Sequence, residues 1–293
     1  MNYGLKQALK VLIALACGVS VTAASISINN KNNSKTLEKN EQINETIENP
    51  NYTPISRTES QVGKYADIDG DGTVDGIIFA DLMVGGSGIW NEYDTTAEWA
   101  NTQGTYVIPT VSSTKDYYVS QESYTNKLGG IAEVLTPIGN GNDRFYIMAL
   151  TSKKKNVTFY KNGVIPLNEN FITSSNFGSG RQNTINMLNK WKNDGYGPKD
   201  DNDLWNYIQD DVKKGWFVPS SQELAAFGKN LNITRNNNFK THNILPYIWT
   251  STQEYIHNSK TECGAYIGDM VICLIGRYES TRDNFGIRLA HTF

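Results

Sequence analysis

From Val62 onward the chain alternates short apolar runs with glycine, asparagine and serine. "GIIFADL", "GTYVIP", "DYYVS", "RFYIMAL" and "VTFYK" are rich in β-branched and aromatic residues and are bounded by turn formers, which is the pattern of strands. The interval "WNEYDTTAEWANTQ" fits either a loop or a short helix. The apolar period then lengthens. In "TINMLNKWKNDG", Ile185, Leu188 and Trp191 recur at three-residue spacing before Gly195. "DNDLWNYIQDDVKKG" places Leu204, Trp205, Ile208 and Val212 on one helical face, with Asp200, Asp201 and Asp203 at its start and Lys213, Lys214 and Gly215 at its end. Acid first, base last and glycine beyond suit the helix dipole and a C-terminal cap. "PSSQELAAFGKNL" carries Ser220 three residues before Glu223, a capping box, followed by a stripe of Leu224, Phe227 and Leu231. After Pro246 the strand texture returns in "YIWTSTQ", "GAYIG", "MVICLIG" and "FGIRLAHTF". Strands, then helices, then strands predict an α+β unit whose helices are segregated from an antiparallel sheet.

Ahead of this region the pattern is absent. Residues 25–60 are dominated by Asn, Lys, Glu, Ser and Thr, too polar to offset the entropy of ordering, and read as a tether. Residues 1–24 place Lys6 and Lys10 before an apolar run from Val11 to about Val21 and then small residues. That order is a secretory signal peptide cleaved after Ala23 or Ala24. Extension of the run to Ile28 instead makes it a membrane anchor near the lower length limit, and Cys17 within "ALACG" is open to lipidation. All three place the remainder outside the cytoplasm, secreted or held at the cell surface. The predicted folded head divides into a β-rich lead-in at 61–141 and a second segment at 142–293, continuous with it.

Composition sharpens the picture in two ways. Only 39% of the 293 residues are hydrophobic, but 6 Trp, 16 Tyr and 10 Phe supply a core, because each aromatic buries a large area. The formal net charge of -3 leaves no basic footprint for nucleic acid.

The densest chemistry lies in "YADIDGDGTVDGIIFADL". Asp67, Asp69, Asp71 and Asp75 occupy positions 1, 3, 5 and 9 of a loop with Gly72 at position 6. Alternate carboxylates of a tight loop converge on a hard cation, the glycine permits the sharp turn, and the Thr73 carbonyl is a further oxygen. Crowded carboxylates repel without a counter-ion, so Ca²⁺ is the expected cofactor. Position 12 of a helix–loop–helix site would be Glu; here it is Ile78 in an apolar run, so the loop joins two strands, and it resembles the "DxDxDGxxD" core of integrin-type propeller loops. Asp81, six residues beyond Asp75, is left out of the ligand set.

Other features point away from catalysis. No serine lies in a G-x-S-x-G context. His242, His257 and His291 have no ligand spacing and read as surface or rim residues. "GGSG" (85–88) and "GSGR" (178–181) lack a phosphate-loop lysine and read as turns, and "SKKKN" (152–156) reads as a solvated basic loop. With Cys17 removed, Cys263 and Cys273 remain. In "CGAYIGDMVIC" a three-residue turn centred on Gly268 sets them opposite each other, and an even pair in an exported protein suggests a disulfide. Two separate thiols on the strand pair are the alternative.

Three stretches carry a family likeness. "GWFVPSSQELAAF" resembles the "W-R-L-P-T-x-x-E-W" segment of the formylglycine-generating-enzyme branch of the C-type-lectin-like fold. "YIWTSTQ" and "NFGIRLAHTF" resemble the "Y-W-S-S-T" and closing "G-F-R-L" strands of bacterial secreted domains in that fold, among them the C-terminal domains of collagen-like adhesins and the major paralogous domains. The resemblance implies a C-type-lectin-like core of antiparallel strands with two to three helices over 142–293. The upstream part resembles exported or prophage-encoded bacterial proteins, a likeness that implies no activity. By analogy with the hypervariable ligand-binding members, "GRYESTRDNFG" would place Arg277, Tyr278, Arg282, Asp283 and Asn284 on a binding face, where Tyr and Arg suit recognition. An ordinary polar loop is the alternative. The enzyme branch oxidises its substrate with copper on two nearby Cys, a pattern that Cys263 and Cys273 do not match. The sugar-binding triplets Glu-Pro-Asn, Gln-Pro-Asp and Trp-Asn-Asp do not occur in this segment.

Together these readings imply an exported, non-catalytic, adhesin-like binding module stabilised by calcium. Its partner would be an extracellular protein or glycan, with no nucleic acid and with membrane association through its N-terminus. The rival functions are an oxidase-like enzyme and a structural subunit of a surface or phage assembly.

Overall fold

Ile77, Ile78 and Phe79 are all fully buried, because the strand that carries them is covered on both faces. This explains why the segment reads as a continuous apolar run rather than an alternation. The computed structural model describes residues 52–92, 98–165, 169–255 and 263–293. The leader, most of the tether and His257 lie outside the described residues.

The six-stranded sheet runs β13-β7-β2-β1-β6-β5, with β1 at Tyr65–Ala66, β2 at Gly76–Asp81, β5 at Asp116–Gln121, β6 at Val134–Ile138, β7 at Phe145–Ala149 and β13 at Ala290–Thr292. A five-stranded sheet runs β11-β10-β9-β12-β8, from β8 at Lys154–Val157, β9 at Tyr247–Tyr255, β10 at Cys263–Asp269, β11 at Leu274–Ser280 and β12 at Phe285–Ile287. A hairpin pairs β3 (Gly86–Ile89) with β4 (Thr105–Ile108). Helices α1 (Glu98–Gly104), α2 (Gly180–Lys192), α3 (Leu204–Tyr207), α4 (Gln209–Lys213), α5 (Ser221–Asn230) and α6 (Phe239–His242) complete the mixed α+β arrangement. Most neighbours are antiparallel, but β1 pairs with β6 in parallel, and β12 with β9.

Chain order and sheet order differ. β13 pairs with β7 through Ala290↔Met148, so the first sheet draws strands from both sides of residue 141, and Thr53–Phe293 is one compact unit. The unit starts earlier than the composition suggests. Residues 53–60, expected to belong to the tether, lie on the outer face of this sheet: Ile55 N–H donates to the Tyr117 carbonyl at 2.9 Å, and Arg144 bonds the carbonyls of Ser56 and Glu59. Beneath them Tyr117, Phe145 and Phe293 form an aromatic cluster with centroids 4.8 to 5.8 Å apart.

On the inner face Phe79 packs edge-on against Phe227 of α5 at 6.0 Å. Trp90 crosses α5 at Gly228, where a Cβ would stand 2.2 Å from the indole, and its Nε1 donates to the Ile233 carbonyl at 2.8 Å. Glycine, unfavourable in a helix interior, is required there by close approach. A separate cluster joins Phe159, Trp205 and Trp249 under the second sheet. At its edge Asp203, fully buried, accepts from Thr158 Oγ1, Lys161 N, Trp191 Nε1 and Asp200 N.

Several local expectations change. The single helix expected within "DNDLWNYIQDDVKKG" (201–215) is two short helices parted at Ile208, which lets Leu204, Trp205 and Ile208 enter one cluster. "GGSG" contributes to β3 and "SKKKN" to β8. His242 is buried rather than on the rim. β10 and β11 pair Asp269 with Leu274, so the turn is Met270–Cys273 and not one centred on Gly268.

Candidate functional site

The aspartate loop closes a hairpin. Ala66 pairs with Gly76, Asp75 N–H donates to the Ala66 carbonyl at 2.8 Å, and residues 67–75 form the connection. Gly70 and Gly72 have φ of +76° and +87°, a region that glycine enters without strain. The carboxylates organise the turn. Asp67, buried, accepts from Gly70 N at 2.8 Å and from Gly72 N at 3.0 Å. Asp69 accepts from Asp71 N at 3.2 Å, and Asp71 from Thr73 N at 2.7 Å. Oxygens of Asp67, Asp69 and Asp71 lie within 4.8 Å of one another, so these three could hold a metal ion. Each carboxylate oxygen has two lone pairs, so the backbone bonds leave capacity for a cation. Asp75 stands outside this trio: its Oδ2 accepts from Ile68 N at 2.8 Å. Burial raises the Asp75 carboxyl above its usual range, and the charges of Asp69, Asp67 and Asp71 raise it further.

Asp81 is committed elsewhere. Both of its oxygens meet the Arg144 guanidinium, at 2.9 Å to Nε and 2.8 Å to Nη2, with each side chain almost fully buried. Its omission from the ligand set agrees with this role.

The residues of the expected binding face fall on two successive elements. Arg277 and Tyr278 lie on β11. Arg282, Asp283 and Asn284 occupy the turn before β12, where Arg282 is exposed. Asp283 and Asn284 line a cavity of about 690 Å³, and Arg282 is not among its lining residues. Asn284 Oδ1 also accepts from Asn202 Nδ2 at 3.0 Å. The rest of the lining includes Tyr247, Asp269, Ile272 and Phe285, none of which the sequence singled out. Tyr247 and Phe285 approach at 5.6 Å between centroids. Asp269 Oδ1 caps the following turn, accepting from Val271 N at 2.9 Å and Ile272 N at 3.2 Å, and burial raises its carboxyl above the usual range. The Asp at the head of a four-residue turn is a turn signal, but the arrival of Tyr247 and Phe285 depends on sheet order.

The cysteine expectation is corrected. Cys263 pairs with Tyr255 at the start of β10, whereas Cys273 lies at the opposite end of the hairpin beside Leu274. The seven strand residues from Cys263 to Asp269 span roughly 20 Å, against the limit of about 7 Å for Cα atoms of a disulfide. Cys273 is a free, buried thiol, and burial pushes it up to about 11, leaving it protonated and inert.

Among the described residues no helix is long and apolar enough to cross a membrane. No protein family, curated protein or solved structure matches this chain.

Proposed function

We propose that this chain is an exported, non-catalytic binding module that takes an extracellular glycan or protein at the cavity bounded by Tyr247, Asp269, Asp283 and Phe285. The observation that carries the reading is that cavity. It combines an aromatic pair, carboxylates and an amide at one concave surface. Aromatic faces stack on sugar rings or apolar side chains, while fixed polar groups set orientation. The finer fold reading is a C-type-lectin-like core. Its support is the succession of a capped helix α5, strand β9, the β10–β11 hairpin and the closing strands β12 and β13.

A glycan array and a protein array of the purified protein test the binding role. The expected result is a restricted set of positives that Tyr247→Ala with Asp283→Ala weakens at least about tenfold, the loss of one stacking surface and one charge-assisted contact. An array without positives, or positives indifferent to both substitutions, overturns it.

Calcium is the cation proposed for the loop. Asp67, Asp69 and Asp71 would hold it with the Thr73 carbonyl, and Asp75 would contribute through its remaining oxygen. Bound there, Ca²⁺ supplies charge neutralisation that orders the turn and the start of β2. Extracellular modules bind calcium with dissociation constants of about 10⁻⁴ to 10⁻³ M. At about 1 mM Ca²⁺ this stabilises the fold by roughly 1 kcal/mol, or about 2–4 °C in Tm. EDTA is expected to lower Tm by that amount. Asp69→Ala with Asp71→Ala, both exposed, should give the same loss and abolish the response to calcium. Identical melting curves with and without chelator rule out the site.

A further inference from the structure

Arg288 is fully buried and forms no ion pair among the described residues. Its Nε donates to the Ala149 carbonyl at 2.8 Å and its Nη2 to the Leu150 carbonyl, while Nη1 has no partner. Burial lowers the guanidinium to about 10, so it stays cationic at neutral pH. An unpaired buried charge is costly, and two carbonyl dipoles offset only part of the cost. His242 is also buried, with Nδ1 unpartnered. Burial, and then the charge of Arg288, lower its pKa.

The backbone segments next to these two residues meet in the open. Thr151 and Ser152, directly after the carbonyls that Arg288 bonds, face Lys240 and Asn243, which flank His242. With Lys155 of β8 they line a cavity of about 410 Å³ that has no carboxylate in its wall. Lys155 and Lys240, like Arg288, make no ion pair among the described residues. The chain is acidic overall, with 30 Asp and Glu against 27 Lys and Arg. The wall holds two cations without an ion pair, Lys155 and Lys240, with Lys240 Nζ 5.9 Å from the Phe239 ring centroid, and Arg288 lies outside it.

We propose that this cavity is an oxyanion site, which binds the phosphate or sulfate group of a small molecule between Lys155 and Lys240, with hydroxyl donors from Thr151 and Ser152 and the field of Arg288 behind. A compact ammonium is a good phosphate ligand, and hydrogen bonds to an ionised group are about twice as strong as neutral ones. The cavity is larger than one oxyanion needs, so it has room for the molecule that carries the group. The site is separate from the one lined by Tyr247 and Asp283.

Calorimetric titration of the protein at constant ionic strength, near 0.15 M, tests this with four probes: inorganic phosphate, inorganic sulfate, glucose 6-phosphate and glucose. The expected result is saturable binding of at least one anionic probe in the millimolar range or tighter, with no binding of glucose. A preference for the ester assigns the site to a phosphorylated molecule; equal affinity for inorganic phosphate assigns it to the group alone. Lys155→Ala with Lys240→Ala, two substitutions outside the core, should weaken binding at least about tenfold. In an NMR titration the His242 imidazole should gain a higher pKa when the anion is bound, because the anion offsets the Arg288 charge. The proposal is overturned by the absence of saturable binding, by equal binding of glucose and glucose 6-phosphate, or by anion binding that the double substitution leaves unchanged.

Discussion

Arg144→Ala is expected to cost about 3–5 kcal/mol, the range for removing one partner of a buried ion pair. That is a large share of the 5–15 kcal/mol by which domains are stable. The guanidinium meets both Asp81 oxygens and also donates to the carbonyls of Ser56 at 2.9 Å and Glu59 at 3.2 Å. Its removal leaves a buried carboxylate uncompensated and frees the segment that covers the Tyr117–Phe145–Phe293 cluster. Arg144→Lys should also be strongly destabilising, because a point charge cannot reproduce the fork. Asp81→Ala with Arg144→Ala should recover part of the single-mutant loss, since no lone charge is left. Urea denaturation checks all three. A midpoint for Arg144→Ala that implies less than about 1 kcal/mol would show that the pair contributes little.

The second large effect is a pH dependence set by Glu223. Its carboxylate is fully buried and accepts three backbone bonds, from Ser220 N at 2.7 Å, Gly178 N at 3.0 Å and Gly180 N at 3.3 Å. Burial pushes the carboxyl up to about 7, and these donors oppose the rise without cancelling it. The sign follows from linkage. The unfolded chain releases this proton near pH 4.5, while the folded chain keeps it until about pH 7. The contribution to stability is thus greatest below pH 4.5, falls as pH rises from there to about 7, and is level beyond. Its size is about 3 kcal/mol across the window. Glu223→Gln should flatten the curve over that range. It retains an acceptor for Gly178 and Gly180 but turns a donor toward Ser220 N, which costs about 1–3 kcal/mol. Urea midpoints at pH 4.5, 5.5, 6.5 and 7.5 measure both effects. A wild-type profile parallel to that of Glu223→Gln would remove Glu223 as its source.

Local chemistry was legible wherever a few adjacent residues complete the interaction. The capping box of Ser220 and Glu223 is present, with Glu223 N–H donating to Ser220 Oγ at 3.2 Å. The aspartate loop is likewise closed by bonds within nine residues. In both, the partners are tied by chain connectivity, so spacing is nearly geometry. What the capping box could not reveal is that Glu223 also holds Gly178 and Gly180, some 45 residues earlier. The hairpin with Cys263 and Cys273 shows the opposite case. A turn displaced from Gly268 to Met270–Cys273 moved the two cysteines from facing positions to opposite ends, because register depends on every side chain in the pair and not on the spacing of two.

The amino-acid order by itself determined the α+β composition, the helix cap and the clustering of Asp67, Asp69 and Asp71. These rest on short-range sterics, backbone hydrogen bonding and periodicity. Only the tertiary structure decided that β13 joins a sheet with β2, that Asp81 pairs with Arg144 63 residues away, and that Tyr247 and Phe285 meet beside Asp283. Those outcomes come from burying apolar area non-directionally. Many pairings of the same strands satisfy that requirement until packing and the satisfaction of buried charges select one.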